Sequence, residues 1–208
     1  MPNWCNNNIR IYGDEGTIST LTSVLKGLTS EDNVFQSLIG LPPYMSNGEY
    51  GEKWYDTNIN WFGTKWDIST DITAFTFGKE EISFFCETAW SPPIPFLENL
   101  CKMYKVNAYL FYSEGGVGFA GETTFEWNRD DELDVFDDEC GFLEGLYKYS
   151  DEEFWSEVEY QADCILDEDQ SLDDFLEEFT FVSNKDKERL TIIYNETIKD
   201  KDEELEVE

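Results

Sequence analysis

The chain has no histidine in its 208 residues. That removes Ser–His and Cys–His nucleophile pairs and every histidine-ligated metal. What remains for chemistry is 46 carboxylates, 14 basic side chains and five cysteines. Paired carboxylates abound, but their order in the chain does not say which two converge. Cys5, Cys86, Cys101, Cys140 and Cys164 are odd in number and widely spaced, which fits reduced thiols in a cytoplasm. Cys5 or Cys86 would need a lysine or a helix end to become a nucleophile. The expectation is a protein without enzyme activity and without a cofactor.

Three constellations have spacings associated with binding. The first is aromatic: Trp4, Asn60, Trp61, Gly63, Lys65, Trp66 and Asp67, with Trp90, Ser91 and Pro92 further on. Trp4, Trp61, Trp66 and Trp90 could line a ligand pocket, with Lys65 and Asp67 as its polar groups. The plainer account is a latch in which indoles fill the space between sheet and loop. No acid–base pair accompanies them, so the latch is expected. The second, Gly116-Val-Gly118-Phe-Ala-Gly121, spells G-x-G-x-x-G. A dinucleotide site needs that loop to open a helix. Here Glu122-Thr-Thr-Phe-Glu-Trp127 reads as a strand, so a glycine turn between strands is expected. In the third, Asp167, Asp169, Ser171, Asp173 and Glu178 fall at ligand positions of an EF-hand loop, but the position that needs glycine is Leu172. The same spacing reads as a helix start. No metal site is expected, loose Mg²⁺ or Ca²⁺ condensation on the carboxylates aside.

The acids themselves are the most unusual feature. Residues 126–178 hold 22 Asp and Glu against Arg129 and Lys148, a net −20, whereas the whole chain carries −32. As helix, this segment would span roughly 80 Å, or one charge per about 4 Å. One DNA strand presents a phosphate per roughly 3.4 Å of axis, so the spacings are of the same order. Packed helices that keep so many like charges give up stability to do so. The bland alternative is solubility and a solvated surface. Such a charge should avoid nucleic acid and anionic membranes and be drawn to basic surfaces.

The elements that must position these groups follow from periodicity. Asn7–Tyr12 alternates as a strand. Ile18, Leu21, Val24, Leu25 and Leu28 form a helix stripe ending near Gly27. From Pro42 to about Trp54 the chain reads as a loop. Asp71–Phe77 and Ile82–Ala89 alternate around Gly78-Lys79 as a hairpin. Trp90-Ser-Pro-Pro93 opens a helix with Phe96, Leu97, Leu100, Met103 and Tyr104 on its buried face. Asn107–Ser113 and Phe119–Trp127 are strands around the turn at 114–118. That order predicts a two-layer α+β sheet with helices on one face.

Beyond it, Leu133, Phe136, Cys140, Leu143 and Tyr147 step by three and four, predicting an amphipathic acidic helix. Ser150-Asp-Glu-Glu153 reads as a capping box before Phe154, Val158, Ala162 and Ile165. Leu172, Phe175, Leu176 and Phe179 make a shorter run. The expected domains are 1–127, an acidic helical region at 128–199, and a disordered charged end at 200–208. The N-terminus lacks a secretory pattern and no apolar stretch approaches the roughly 20 residues of a spanning helix, so a cytoplasmic protein is expected.

MPNWCNNNIRIYG at the start, NWFGTKWD at 60–67, FCETAWSPP at 85–93 and EGGVGFAGE at 114–122 resemble the YubB ferredoxin-like domain family over about residues 1–127. These are small proteins carried by phages, prophages and conjugative plasmids. The resemblance implies a split βαβ sheet and a mobile genetic element, and brings no enzyme activity. Where the family reads N-W-G-T-K-W-D, this chain inserts Phe62 after Trp61.

Together these readings predict a non-enzymatic inhibitor of a basic host protein that binds DNA or RNA, in the host cytoplasm, acting as an acidic phosphate mimic. Restriction enzymes, CRISPR effectors and repair enzymes are the target classes. The expected contacts are Asp130, Asp131, Asp134, Asp137, Asp138, Glu152, Glu157, Asp163, Asp167 and Asp169. The rival is a small-ligand or protein-binding module at Trp61, Trp66 and Trp90 with inert acids. A carboxylate metal hydrolase is a weaker third.

Overall fold

The computed structural model describes residues 3–42, 54–70, 74–165 and 171–205, and Asp167 and Asp169 lie outside them. Contacts divide the chain into two compact units, 1–139 and 140–208. In the first, strand β1 (Trp4–Tyr12) is followed by helices α1 (Glu15–Gly27), α2 (Val34–Ile39) and α3 (Trp54–Phe62). A hairpin of β2 (Ala74–Phe77) and β3 (Glu81–Ala89) comes next, then α4 (Ile94–Tyr104), β4 (Asn107–Glu114), β5 (Phe119–Trp127) and β6 (Leu133–Gly141). The sheet order is β2-β3-β1-β4-β5-β6. β1 pairs antiparallel with both β3 and β4. The passages from β1 to β2 and from β3 to β4 therefore each cross one intervening strand, the interleaved βαβ arrangement of a ferredoxin-like sheet.

Alternation along β1 shows why the helices lie on one face. Cys5, Asn7, Ile9 and Ile11 are buried, while Trp4, Asn6, Asn8 and Arg10 are exposed. Ile9 stands between Phe84 and Leu110 in register, and Ile11 between Ile82 and Ala108. Onto these rows pack Ile18, Leu21 and Leu25 of α1, Phe35 and Leu38 of α2, and Phe96, Leu97 and Leu100 of α4. Phe35 and Phe96 stack with ring centroids 4.0 Å apart. Asp14 caps α1, accepting from the amides of Gly16 and Thr17 at 3.0 Å each. Lys105, with φ +58°, ends α4 in the left-handed conformation just before β4.

The 133–147 stripe is not one helix. Residues 133–141 form β6 on the outer edge of β5, and only Phe142–Tyr149 is helical, as α5. Three physical reasons favour the strand. Asn128 nucleates a turn: its side chain accepts from the amides of Asp130 and Glu132, and its own amide bonds the Glu132 carbonyl at 2.9 Å. A helix would stack Asp130 on Asp134 and Asp134 on Asp138 at i,i+4, whereas a strand sends neighbouring acids to opposite faces. β5 would otherwise be a bare edge. Gly121 permits the approach, since a β-carbon there would meet the Asp138 carbonyl at 2.6 Å. The sheet unit thus ends near 139 rather than 127.

The second unit comprises α5, α6 (Asp151–Ile165), α7 (Leu172–Glu177) and α8 (Asn184–Leu205). Its own core contains Leu146, Phe154, Trp155, Val158, Ala162, Phe175, Phe179, Val182, Leu190 and Ile193. Fully buried Phe154 has Trp155, Tyr147, Phe181 and Phe179 around it at centroid distances of 4.9, 5.1, 6.3 and 6.4 Å. Ser171 and Asp174 form the capping box of α7, so the EF-hand-like spacing is a helix start there. α8 continues to Leu205, past residue 199 where the sequence predicts a disordered end. Among the described residues no helix is long and apolar enough to cross a membrane.

Candidate functional site

α3 stops at Gly63, whose φ is +83°. A β-carbon on Gly63 would lie 2.5 Å from Pro95 Cδ and 2.9 Å from the Pro92 carbonyl, so glycine is required. The loop after it is tied to the end of β3. Buried Thr64 accepts from the Ala89 amide at 3.1 Å and donates to the Ala89 carbonyl at 3.2 Å. The Ser91 hydroxyl donates to the Gly63 carbonyl at 2.6 Å, and Thr88 donates to the Ser91 carbonyl at 2.7 Å. Half-buried Trp61 packs against the core and donates its indole N–H to the Gly40 carbonyl at 3.2 Å. The Asp67 carboxylate accepts from the amides of Phe35, Gln36 and Ile68 at 2.8, 2.7 and 2.7 Å, capping α2. Burial pushes Asp67 up to about 6, against the pull of those three donors. Trp61, Gly63, Asp67 and Ser91 therefore work as ties within the fold. Asn60 is exposed on α3 and Pro92 is half-buried at the start of α4.

The other aromatic residues of the motif behave differently. Trp4 meets Trp66 edge-on with centroids 6.5 Å apart, and Tyr55 meets Trp90 likewise at 6.3 Å. Between the pairs, Lys65 Nζ lies 4.6 Å from the Trp66 ring centre and 4.5 Å from that of Trp90. All four rings are exposed. The sequence reading missed Tyr55; the 54–62 helix that carries it was legible in the spacing of Trp54, Asn58, Trp61 and Phe62. It also missed a groove of about 510 Å³ on the open sheet face, lined by Arg10, Tyr12, Asn107, Tyr109, Thr124 and Glu126. Arg10, Tyr109 and Thr124 stand in one cross-strand row there.

The ten expected acidic contacts do not form one helical array. Asp130 and Asp131 lie in the turn before β6; Asp131 has φ +66° and is ion-paired with Lys105. Asp134 accepts from Asn128 Nδ2 at 3.2 and 3.3 Å. Asp137 accepts from the hydroxyls of Thr123 and Tyr112 at 2.6 and 3.1 Å, so β6 is pinned to the sheet through this carboxylate. Asp138 is exposed on β6. Glu152 is exposed in the first turn of α6 and Glu157 half-buried in the second. Asp163 lies in α6, and its side chain is outside the described set. Over 130–138, period-3.6 spacing and an edge-strand register compete, and the edge wins.

The buried thiols are not activated. Burial, reinforced by the Glu114 charge, pushes Cys5 up to about 12, and Cys86 goes higher still by burial. Cys101 is likewise pushed to about 12 by burial. The second constellation resolves as structure too. Glu114 accepts from the amides of Gly116 and Val117 at 2.8 and 2.6 Å, and Gly118 has φ +94°, so the G-x-G-x-x-G run is a strand-to-strand turn.

No match was found among curated proteins. A crystal structure of protein api92 from Yersinia pseudotuberculosis is similar over 68% of this chain and 99% of that one, at 10% identity and a TM-score of 0.42. A family model described as the ferredoxin-like domain in Api92-like proteins matches residues 47–195. This span takes in the acidic residues that the resemblance over 1–127 left outside. The match covers well over half of the chain, which therefore belongs to the family of the ferredoxin-like domain found in Api92-like proteins.

Proposed function

We propose that the protein is a non-enzymatic binder of a basic host protein that grips DNA or RNA, its carboxylates standing in for phosphates. One observation carries the reading. Residues 140–208 contain 23 acids and six bases, a net −17, yet their helices share a packed aromatic core. Charge at that density normally leaves a chain unfolded and solvated. Here Asp151, Glu152, Glu153 and Glu159 are exposed on α6 while Phe154, Trp155 and Val158 are buried beneath them. A carboxylate array on a folded scaffold offers fixed spacing to a Lys/Arg groove, releasing that groove's counterions. Asp131, Asp134 and Asp137 of the sheet unit serve internal partners, as do Asp151 and Glu159 of the helical unit, so it is the higher charge density of the helical unit that makes it the better candidate for contact. The resemblance to YubB proteins adds a setting on a mobile element, and the mimic reading itself points to a host target such as a restriction, CRISPR or repair enzyme.

The test is binding to a purified DNA-gripping protein of that class in a salt series. Affinity should fall at least tenfold between about 50 and 200 mM salt, and duplex DNA should compete. Exchanging Glu152, Glu153, Glu157 and Glu159 for Gln should weaken binding at least tenfold with helicity unchanged. Binding indifferent to both salt and these exchanges would overturn the reading.

A further inference from the structure

The geometry points to the exposed aromatic cluster of Trp4, Tyr55, Trp66 and Trp90 as a docking surface for arginine side chains of the basic partner, an inference that rests on the proposed function. The four rings are 42, 39, 38 and 41% exposed, too alike and too contiguous for isolated surface residues. Trp and Tyr in this state are the residue types that dominate contact energy when covered. For Trp90 the exposure is set by the backbone. Trp90 has φ +74°, a left-handed conformation that a bulky side chain rarely adopts. It is held there by its amide bonding the Asn3 carbonyl at 3.0 Å and by the Ser91 bond to Gly63. Relaxing that φ would re-aim the indole, so the fold keeps a strained residue where its ring meets solvent.

The occupant follows from charge. Lys65 shows that these faces hold a cation, its ammonium lying about equally far from both indoles. It engages Trp66 and Trp90 only, and the flanking rings of Trp4 and Tyr55 carry no cation among the described residues. A chain of net −32 concentrates basic partners around itself. Of their side chains, guanidinium is the more weakly hydrated and stacks flat on indole, so arginine is selected over lysine.

The experiment titrates the full chain with two synthetic peptides, (Arg-Gly)6 and (Lys-Gly)6, by calorimetry and tryptophan fluorescence. The arginine peptide should bind about fivefold more tightly and quench fluorescence. Trp4→Leu with Tyr55→Leu should bring the two affinities within twofold, leaving the lysine peptide unchanged. Because Trp4 lies on β1, Tyr55→Leu alone is the second variant and should lose part of the preference. Equal affinities for the two peptides, or a preference that survives both variants, would overturn the inference. Ring-dependent arginine binding with no binding of the lysine peptide would support the cluster and sink the phosphate-mimic reading. Failure of both peptides to bind would overturn both.

Discussion

The two units solve the same problem, an excess of acid, by opposite means. The sheet unit spreads net −15 (23 acids, eight bases) over 139 residues, while the helical unit holds net −17 in 69. In the first, acids are absorbed into structure: Asp14 and Asp67 cap helices, Glu114 closes a turn and Asp137 pins an edge strand. Its core is a broad aliphatic and Phe layer against a sheet. In the second, Asp174 caps a helix and Asp186 accepts from Tyr147, but Glu152, Glu153 and Glu159 stay exposed on α6 and the core is a tight knot of aromatic rings. A carboxylate used as a hydrogen-bond acceptor stabilises the fold. One left on a crowded helix face opposes it, and large apolar burial must offset the repulsion.

That contrast can be broken most forcefully at Phe154. Phe154→Ala should cost about 3–5 kcal/mol and melt 140–208 while hydrogen exchange in β1, β3 and β4 stays slow. If the sheet amides exchange equally fast, the two cores are not separate in energy. In the sheet unit the largest effect should come from Gly63→Ala, which adds a positive-φ penalty to a collision with Pro95 and the Pro92 carbonyl. A loss of roughly 2–4 kcal/mol in urea unfolding of the sheet is expected; a change below half a unit would show that the loop relaxes freely.

Asp67→Asn sharpens the same comparison through pH. The folded carboxyl titrates near 6, above its ordinary value of 3.8, so its contribution to stability is full below about pH 4 and is lost as pH rises through 6. The variant should be less stable throughout, by about 1–3 kcal/mol, because amides of α2 lose acceptors. The gap to the parent should narrow between pH 4 and 6.5; a widening gap would mean that folding lowers the Asp67 carboxyl instead of raising it. The smallest effect is salt. Raising NaCl to about 0.5 M should stabilise the helical unit by roughly 1 kcal/mol, a rise of about 4–8 °C, and the sheet unit less. Equal shifts would mean that the charge densities do not matter.

Much of the sheet was legible because its signals are local. The alternation of 82–89, the Pro-Pro helix start and the glycine turn all predict what Glu81–Ala89, Ile94–Tyr104 and Gly118 do. The 3–4 spacing of Phe154, Val158 and Ala162 likewise marks the buried face of α6. α8 begins within the helical region expected at 128–199, but its buried stripe of Leu190, Ile193 and Thr197, which repeats with the same period, was not singled out. The site was less legible. Trp61 and Trp66 are five residues apart and chemically alike, yet one is a tie and the other an exposed ring.

The amino-acid order alone determined the charge, the exclusion of histidine chemistry and the interleaved strand–helix sequence, since these depend on composition or on residues within one turn or one pleat. Only the tertiary structure decided that 133–141 is a strand, that Asp137 is a pin, and which tryptophans face solvent. Those outcomes depend on distant partners: a free β5 edge, hydroxyls from Tyr112 and Thr123, and a Trp90 backbone held by Asn3. No local period can announce a neighbour that arrives from elsewhere in the chain.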